Sequence, residues 1–152
     1  MGHKISLDVA AVALGLIAAT PAMAASCGLE PFPPALSNPG AISGMPAHDA
    51  EAARHQAYQD VIDWQKALKT YRGCLTTLIN DDNRKIAGDQ GSGDKNDLDD
   101  IPDLKSDITK VNSQYDRSVD NEKTVVSGYT AIVKVYCGRK DVDQAVCQQP
   151  AR

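Results

Sequence analysis

Two long stretches of this chain carry apolar residues at alternating steps of three and four, and that pattern restricts the fold more than any other feature. In the first, Ala50, Ala57, Val61, Trp64, Leu68, Tyr71, Leu75 and Leu78 fall in one stripe along a helix, at the a and d positions of a heptad. In the second, Leu104, Ile108, Val111 and Tyr115, then Val125, Tyr129, Ile132 and Tyr136, repeat it. Ser118 and Glu122 interrupt this second stripe, while Val119, Val126 and Val133, spaced by seven on its flank, widen the apolar face. Between positions 47 and 87 there is no proline, and Gly73 is the only glycine. The pattern predicts two helices of about 35 residues, each roughly 50 Å long at ~1.5 Å per residue. Joined by a short turn they form an all-α, antiparallel, coiled-coil-like hairpin over 47–147, with 148–152 as a tail.

The connection between the stripes, DQGSGDKNDLDD at 89–100, has the texture of a calcium loop. An EF-hand needs oxygen ligands at positions 1, 3, 5 and 12 with glycine at 6. Starting at Asp89, positions 3 and 5 are Gly91 and Gly93; starting at Asp94, positions 5 and 6 are Leu98 and Asp99; starting at Asp97, they are Ile101 and Pro102. No frame fits. The stretch reads instead as a solvated turn in which Gly88, Gly91 and Gly93 end the first helix and Asp99 or Asp100, before Pro102, caps the second.

Ahead of the hairpin the texture differs. Residues 27–46 hold Pro31, Pro33, Pro34, Pro39 and Pro46, which fix φ and lack the N–H donor, so 25–46 reads as an extended arm. Phe32, Leu36 and Ile42 are its candidates to cover one edge of the hairpin. Residues 1–24 have the layout of a secretory signal peptide: Lys4, an apolar run, a break at Thr20 and Pro21, then small residues at Ala22 and Ala24. That run is shorter than the ~20 residues of a membrane span. The mature chain is then expected to be periplasmic or secreted, with no transmembrane segment. A competing reading takes AASC, ending at Cys27, as a loose lipobox and acylates that cysteine, which leaves an odd thiol among Cys74, Cys137 and Cys147.

Four cysteines allow three pairings. With the turn near residue 93, facing residues sum to about 187, so Cys74 and Cys137 are some 36 Å apart by helical rise. A disulfide needs Cα atoms within about 7 Å. Cys137 with Cys147 closes a short local loop and leaves Cys27 for Cys74, which the arm, up to about 69 Å long when extended, can reach. Cys27 with Cys137 and Cys74 with Cys147 stays open as a tauter alternative.

The chemistry of catalysis is poorly represented. His48 and His55 are two turns apart, about 10.5 Å, too far to share an ion without bending inward. Neither a Ser-His-Asp nor a Cys-His arrangement is credible, no Cys-x-x-Cys occurs, and GDQGSG at 88–93 opens no P-loop. No catalytic, cofactor-binding or metal-ligating residue is therefore assigned, no cofactor is expected, and Trp64, Tyr71, Tyr115, Tyr129 and Tyr136 read as core. The net charge of −4 offers no basic patch for nucleic acid. The acid is localised: over 81–107, nine aspartates face Arg84, Lys85, Lys95 and Lys105.

LKTYRGCL at 68–75, YDRSVDNEKTVVSGY at 115–129 and YCGRKDV at 136–142 resemble a group of small exported alphaproteobacterial helical proteins. These share a signal peptide, a proline-rich start after a cysteine, an LKTYRxC helix and a second helix ending in YC. The resemblance implies export and the two-helix plan, and supplies no activity or catalytic residue. The sequence is thus read as a disulfide-stapled structural or interaction module of the cell envelope, its contacts a homodimer through the widened face of the second helix or another envelope protein. The alternative is a periplasmic small-ligand or metal-binding protein.

Overall fold

The computed structural model describes residues 27–148. The expected leader 1–24 with its cleavage site, the first two residues of the arm and the tail past Gln148 lie outside the described residues. In chain order come α1 (Pro39–Gly44), α2 (Ala47–Ser92), α3 (Lys95–Cys137) and a short 3-10 turn (Val146–Gln148), and there is no strand among the described residues. Helices α2 and α3 pack against each other as an antiparallel hairpin.

Both long helices exceed the expected length, with 46 and 43 residues, because the turn is tighter than the glycine spacing suggests. Gly88 and Gly91 stay inside α2, and Gly93 alone reverses the chain, with φ at 67°, a left-handed conformation that glycine adopts without a Cβ clash. Asp94, not Asp99 or Asp100, caps α3: its carboxylate accepts from the Asn96 N–H at 2.8 Å. Ser92 Oγ accepts from the Asp94 N–H at 3.1 Å and donates to the Asp97 carboxylate at 2.7 Å. These bonds satisfy the end groups at once, so the helices continue to the tip.

Pro102 consequently lies inside α3, not in its first turn. A proline there removes a donor and crowds the preceding turn, a cost of about 3 kcal/mol at a central position. Pro102→Ala is expected to raise stability by about 1 to 2 kcal/mol, less than that maximum because the site is only two turns from the helix end. A urea titration checks it; an unchanged midpoint would place the start of α3 after Asp100.

Packing divides the hairpin along its length. Toward the base, where α2 begins and α3 ends, Val61, Trp64, Leu68, Tyr71, Leu75 and Val125 form one buried cluster, and Ile42, Ala50, Ala57, Ile132 and Tyr136 another. Toward the tip the stripe persists, but Leu78, Leu104 and Ile108 are only half-buried, and Ile101 is the one core residue.

The arm accounts for that difference. It runs along the seam antiparallel to α2 and parallel to α3. Cys27 is bonded to Cys74, the Pro31 carbonyl accepts from Trp64 Nε1 at 3.0 Å, and Leu36 packs against both clusters. A Cβ on Gly128 would meet Leu36 Cδ1 at 3.3 Å, a tight contact that Leu36 would have to relieve by a small shift. Ile42 is fully buried, and its carbonyl accepts from Arg139 Nη1 at 2.6 Å. Two expectations are corrected here. The arm is not extended throughout, since Asn38 accepts from the Gly40 N–H at 2.8 Å and Pro39 takes the first helical position, starting α1. Phe32 does not cover the seam but is 85% exposed, because Pro31 and Glu30 hold this part of the arm and point Phe32 outward.

Candidate functional site

The most organised polar cluster sits where the apolar stripe of α3 is interrupted. Arg72, one residue beyond the stripe of α2, reaches across the seam. Its Nε donates to Ser118 Oγ at 2.8 Å, Nη2 to the Ser118 carbonyl at 2.6 Å and Nη1 to Glu122 Oε2 at 2.5 Å. Gln65 Nε2 holds the other Glu122 oxygen at 2.8 Å. Ser118 is fully buried and its hydroxyl donates to the Tyr115 carbonyl at 2.6 Å, while the guanidinium lies 5.8 Å from the Tyr115 ring centroid. The ion pair is largely shielded, with side-chain exposures of 18% and 29%.

Arg72 donation holds the Glu122 carboxyl below the usual glutamate range; burial opposes this, and the Gln65 hydrogen bond and the Arg72 charge add to the lowering. Glu122 is thus an ionised acceptor at neutral pH, already occupied on both oxygens. The Ser118 hydroxyl donates to a backbone carbonyl and not to a base. The cluster positions two helices; it activates no nucleophile. It also lines a shallow groove with Lys69, Gly73 and Thr76.

The remaining candidates are scattered. Cys27 pairs with Cys74 and Cys137 with Cys147, with Cα atoms 5.6 Å apart in both, and no cysteine is free. One sulfur cannot carry both this bond and a lipid, so the two readings of Cys27 are mutually exclusive. His48 is exposed and faces Asp49 at 3.4 Å; His55 is exposed on the same helix. Among the described residues no three His, Cys, Asp or Glu side chains gather as a metal site. Of the tip aspartates, Asp94 caps α3, Asp97 accepts from Ser92, Asp81 and Asp82 pair with Arg84 and Lys85, and Asp99 and Asp100 are exposed. Trp64, Tyr71 and Tyr136 are buried, whereas Tyr115 and Tyr129 are half-buried. Tyr58, outside the expected row, packs 6.0 Å from Tyr129, and Arg54 lies 5.1 Å over the Tyr136 ring.

Sequence reasoning passed over Arg72, although a signal existed. Ser118 and Glu122 are polar breaks one turn apart in an apolar stripe, and the hairpin register places them near residues 65–72 of α2.

Comparison with family models, curated proteins and solved structures gives no match. Among the described residues no helix is long and apolar enough to cross a membrane.

Proposed function

We propose that this chain is an exported, non-enzymatic structural or protein-interaction module of the cell envelope. The observation that carries the reading is the pairing of all four cysteines into two disulfides, since such bonds persist in oxidising compartments. The leader-like layout of residues 1–24 agrees with it. A long hairpin stapled at both the arm and the base presents extended side surfaces, suited to partners along its length. One such surface is the flank of α3 around Val126, 38% exposed between the half-buried Val119 and Val133, through which two copies can pair.

The test is expression of the full chain in a Gram-negative host, followed by fractionation, intact mass, elemental analysis and sedimentation. The expected product is an oxidised, metal-free chain released from the periplasm and starting at Ala25. A reduced chain retained in the cytoplasm, or a stoichiometric metal, overturns the reading.

A further inference from the structure

The arm covers one side of the seam and leaves the other open. On α2 the covered side follows Asp60, Trp64, Ala67, Tyr71 and Cys74, steps of four and three on one helix face. On α3 it includes Arg117, Asn121 and Gly128, which meet Glu30 and Leu36 of the arm. The open side holds the groove of Lys69, Arg72, Gly73 and Tyr115, with Val126 one turn toward the base from Glu122. Asn121 and Glu122, adjacent in sequence, serve the two sides separately: one donates to the arm, the other lines the groove.

Among the described residues the exposed large apolar side chains are Leu29 and Phe32, at 86% and 85%, with Leu98 and Val126. All but Leu98 lie at mid-length, on the two opposite sides. Cys27 is level with Cys74 and Pro31 with Trp64, so Leu29 falls midway, near Lys69, and Phe32 just beyond Trp64. Glu122 faces Gln65, which puts the groove at the level of Leu29 and Val126 at the level of Phe32. Leu29, Phe32 and the exposed Pro33 form one apolar edge. The disulfide, the Glu30 contacts and the Trp64 hydrogen bond already order it, so a partner gains its contacts without ordering the segment.

Unanswered charge differs in sign between the sides. Arg54, five turns from Arg72 and so on the groove side, and Lys69 have no acid partner among the described residues, and Arg54 Nε is buried without a hydrogen-bond partner. On the arm side Asp60 has no cation and accepts only from Gln56 Nε2. The sides therefore complement each other in charge as well as in shape. The tips are acidic, with nine aspartates against four cations over 81–107. Hairpins laid side by side keep them at least a helix diameter apart, about 10 Å, beyond the ~8 Å Debye length at physiological salt.

From these two faces we infer that the chain assembles head-to-tail: the arm edge of one copy, Leu29 and Phe32, seats on the open side of the next. Leu29 enters the groove beside Tyr115 and over Gly73, where an added Cβ would meet nothing within 4 Å. Phe32 covers Val126. The matched levels require no displacement along the hairpin. The inference rests on the interaction-module reading and names what the Val126 flank receives. Because the two faces lie on opposite sides of one molecule, each contact leaves one arm and one groove free, and assembly continues past a dimer.

The experiment is sedimentation of the oxidised mature chain over a concentration series at physiological salt. The average mass of the wild type is expected to climb past that of a dimer. Phe32→Glu on the arm, and Val126→Glu or Gly73→Glu beside the groove, should each weaken association about tenfold or more, with helicity unchanged by circular dichroism. Mixing separates the geometries. Phe32→Glu keeps its groove and Val126→Glu keeps its arm, so together they should form a capped one-to-one dimer that neither forms alone. Gly73→Glu takes the place of Val126→Glu if the latter loses helicity. Three results would each overturn the proposal: a wild type that stays monomeric, a mixture that stays monomeric, or a closed dimer indifferent to Phe32→Glu, which marks a reciprocal α3 contact. Export and metal content are read separately from fractionation and elemental analysis. An exported, oxidised, metal-free monomer sinks this contact and leaves the envelope reading in place.

Discussion

Replacing Cys74 by serine is expected to destabilise the protein by about 2 to 4 kcal/mol and to release the arm while α2 and α3 stay helical. Cys27 and Cys74 are 47 residues apart in sequence, so their bond removes much freedom from the unfolded chain. It also fixes the upper end of the arm, below which Leu36 and Ile42 seal the seam. With the bond gone, the upper arm retains the Glu30 contacts and the Trp64 hydrogen bond, each a modest contribution in the presence of water. Proteolysis should therefore appear within 28–37, ahead of α1, and the urea midpoint should fall without loss of far-ultraviolet helicity. Cys147→Ser should be milder, because its bond to Cys137 closes only a ten-residue separation. Peptide mapping without reductant decides the pairing: a linked peptide containing Cys27 and Cys137 sinks this account.

The hairpin was legible because its information is periodic. Steps of three and four identify a helix face whatever lies between, and α2 buries Ala50, Ala57, Val61, Trp64, Leu68, Tyr71 and Leu75 from that stripe. The register followed from the turn position: Gln65 meets Glu122, a pair whose numbers sum to 187, as facing residues were expected to do. The ends were less legible, since they depend on single hydrogen bonds. Whether Asp94 or Asp100 caps α3 is decided by where one glycine turns, and three glycines were available. Proline misled twice in opposite directions. Pro39 starts a helix in a segment read as extended, and Pro102 is carried inside a helix it was expected to begin. At Pro39 the Asn38 cap and the proline's place at the first helical position favour the helix together, whereas Asp94 caps α3 two turns ahead of Pro102. The Arg72 cluster was missed for a different reason. A long polar side chain beside a stripe looks like a solvated one until the facing helix supplies a small residue and an acid at the same level.

That cluster is expected to set register at some expense to stability. Arg72→Met should lose about 2 kcal/mol, below the ~3 to 5 of a fully buried broken pair, because Glu122 keeps Gln65 and some contact with water. Arg72→Met combined with Glu122→Met should recover much of that loss, since apolar side chains of similar length continue the stripe. The double variant would then lack the only cross-seam ion pair of α2 and α3 among the described residues. It should show broader amide signals or mixed oligomers in sedimentation, as coiled coils do when a polar register device is removed. Acid gives an independent check on the same contact. The folded Glu122 carboxyl lies below its ordinary value, which is about 4.3 in the unfolded chain. Its contribution is therefore complete above that pH and is lost as pH falls toward the folded value. Urea midpoints measured from pH 6 down should decline more steeply below about pH 4.3 in the wild type than in Arg72→Met. Parallel slopes, together with an unchanged midpoint at neutral pH, would mean that the guanidinium rests on the seam without holding it.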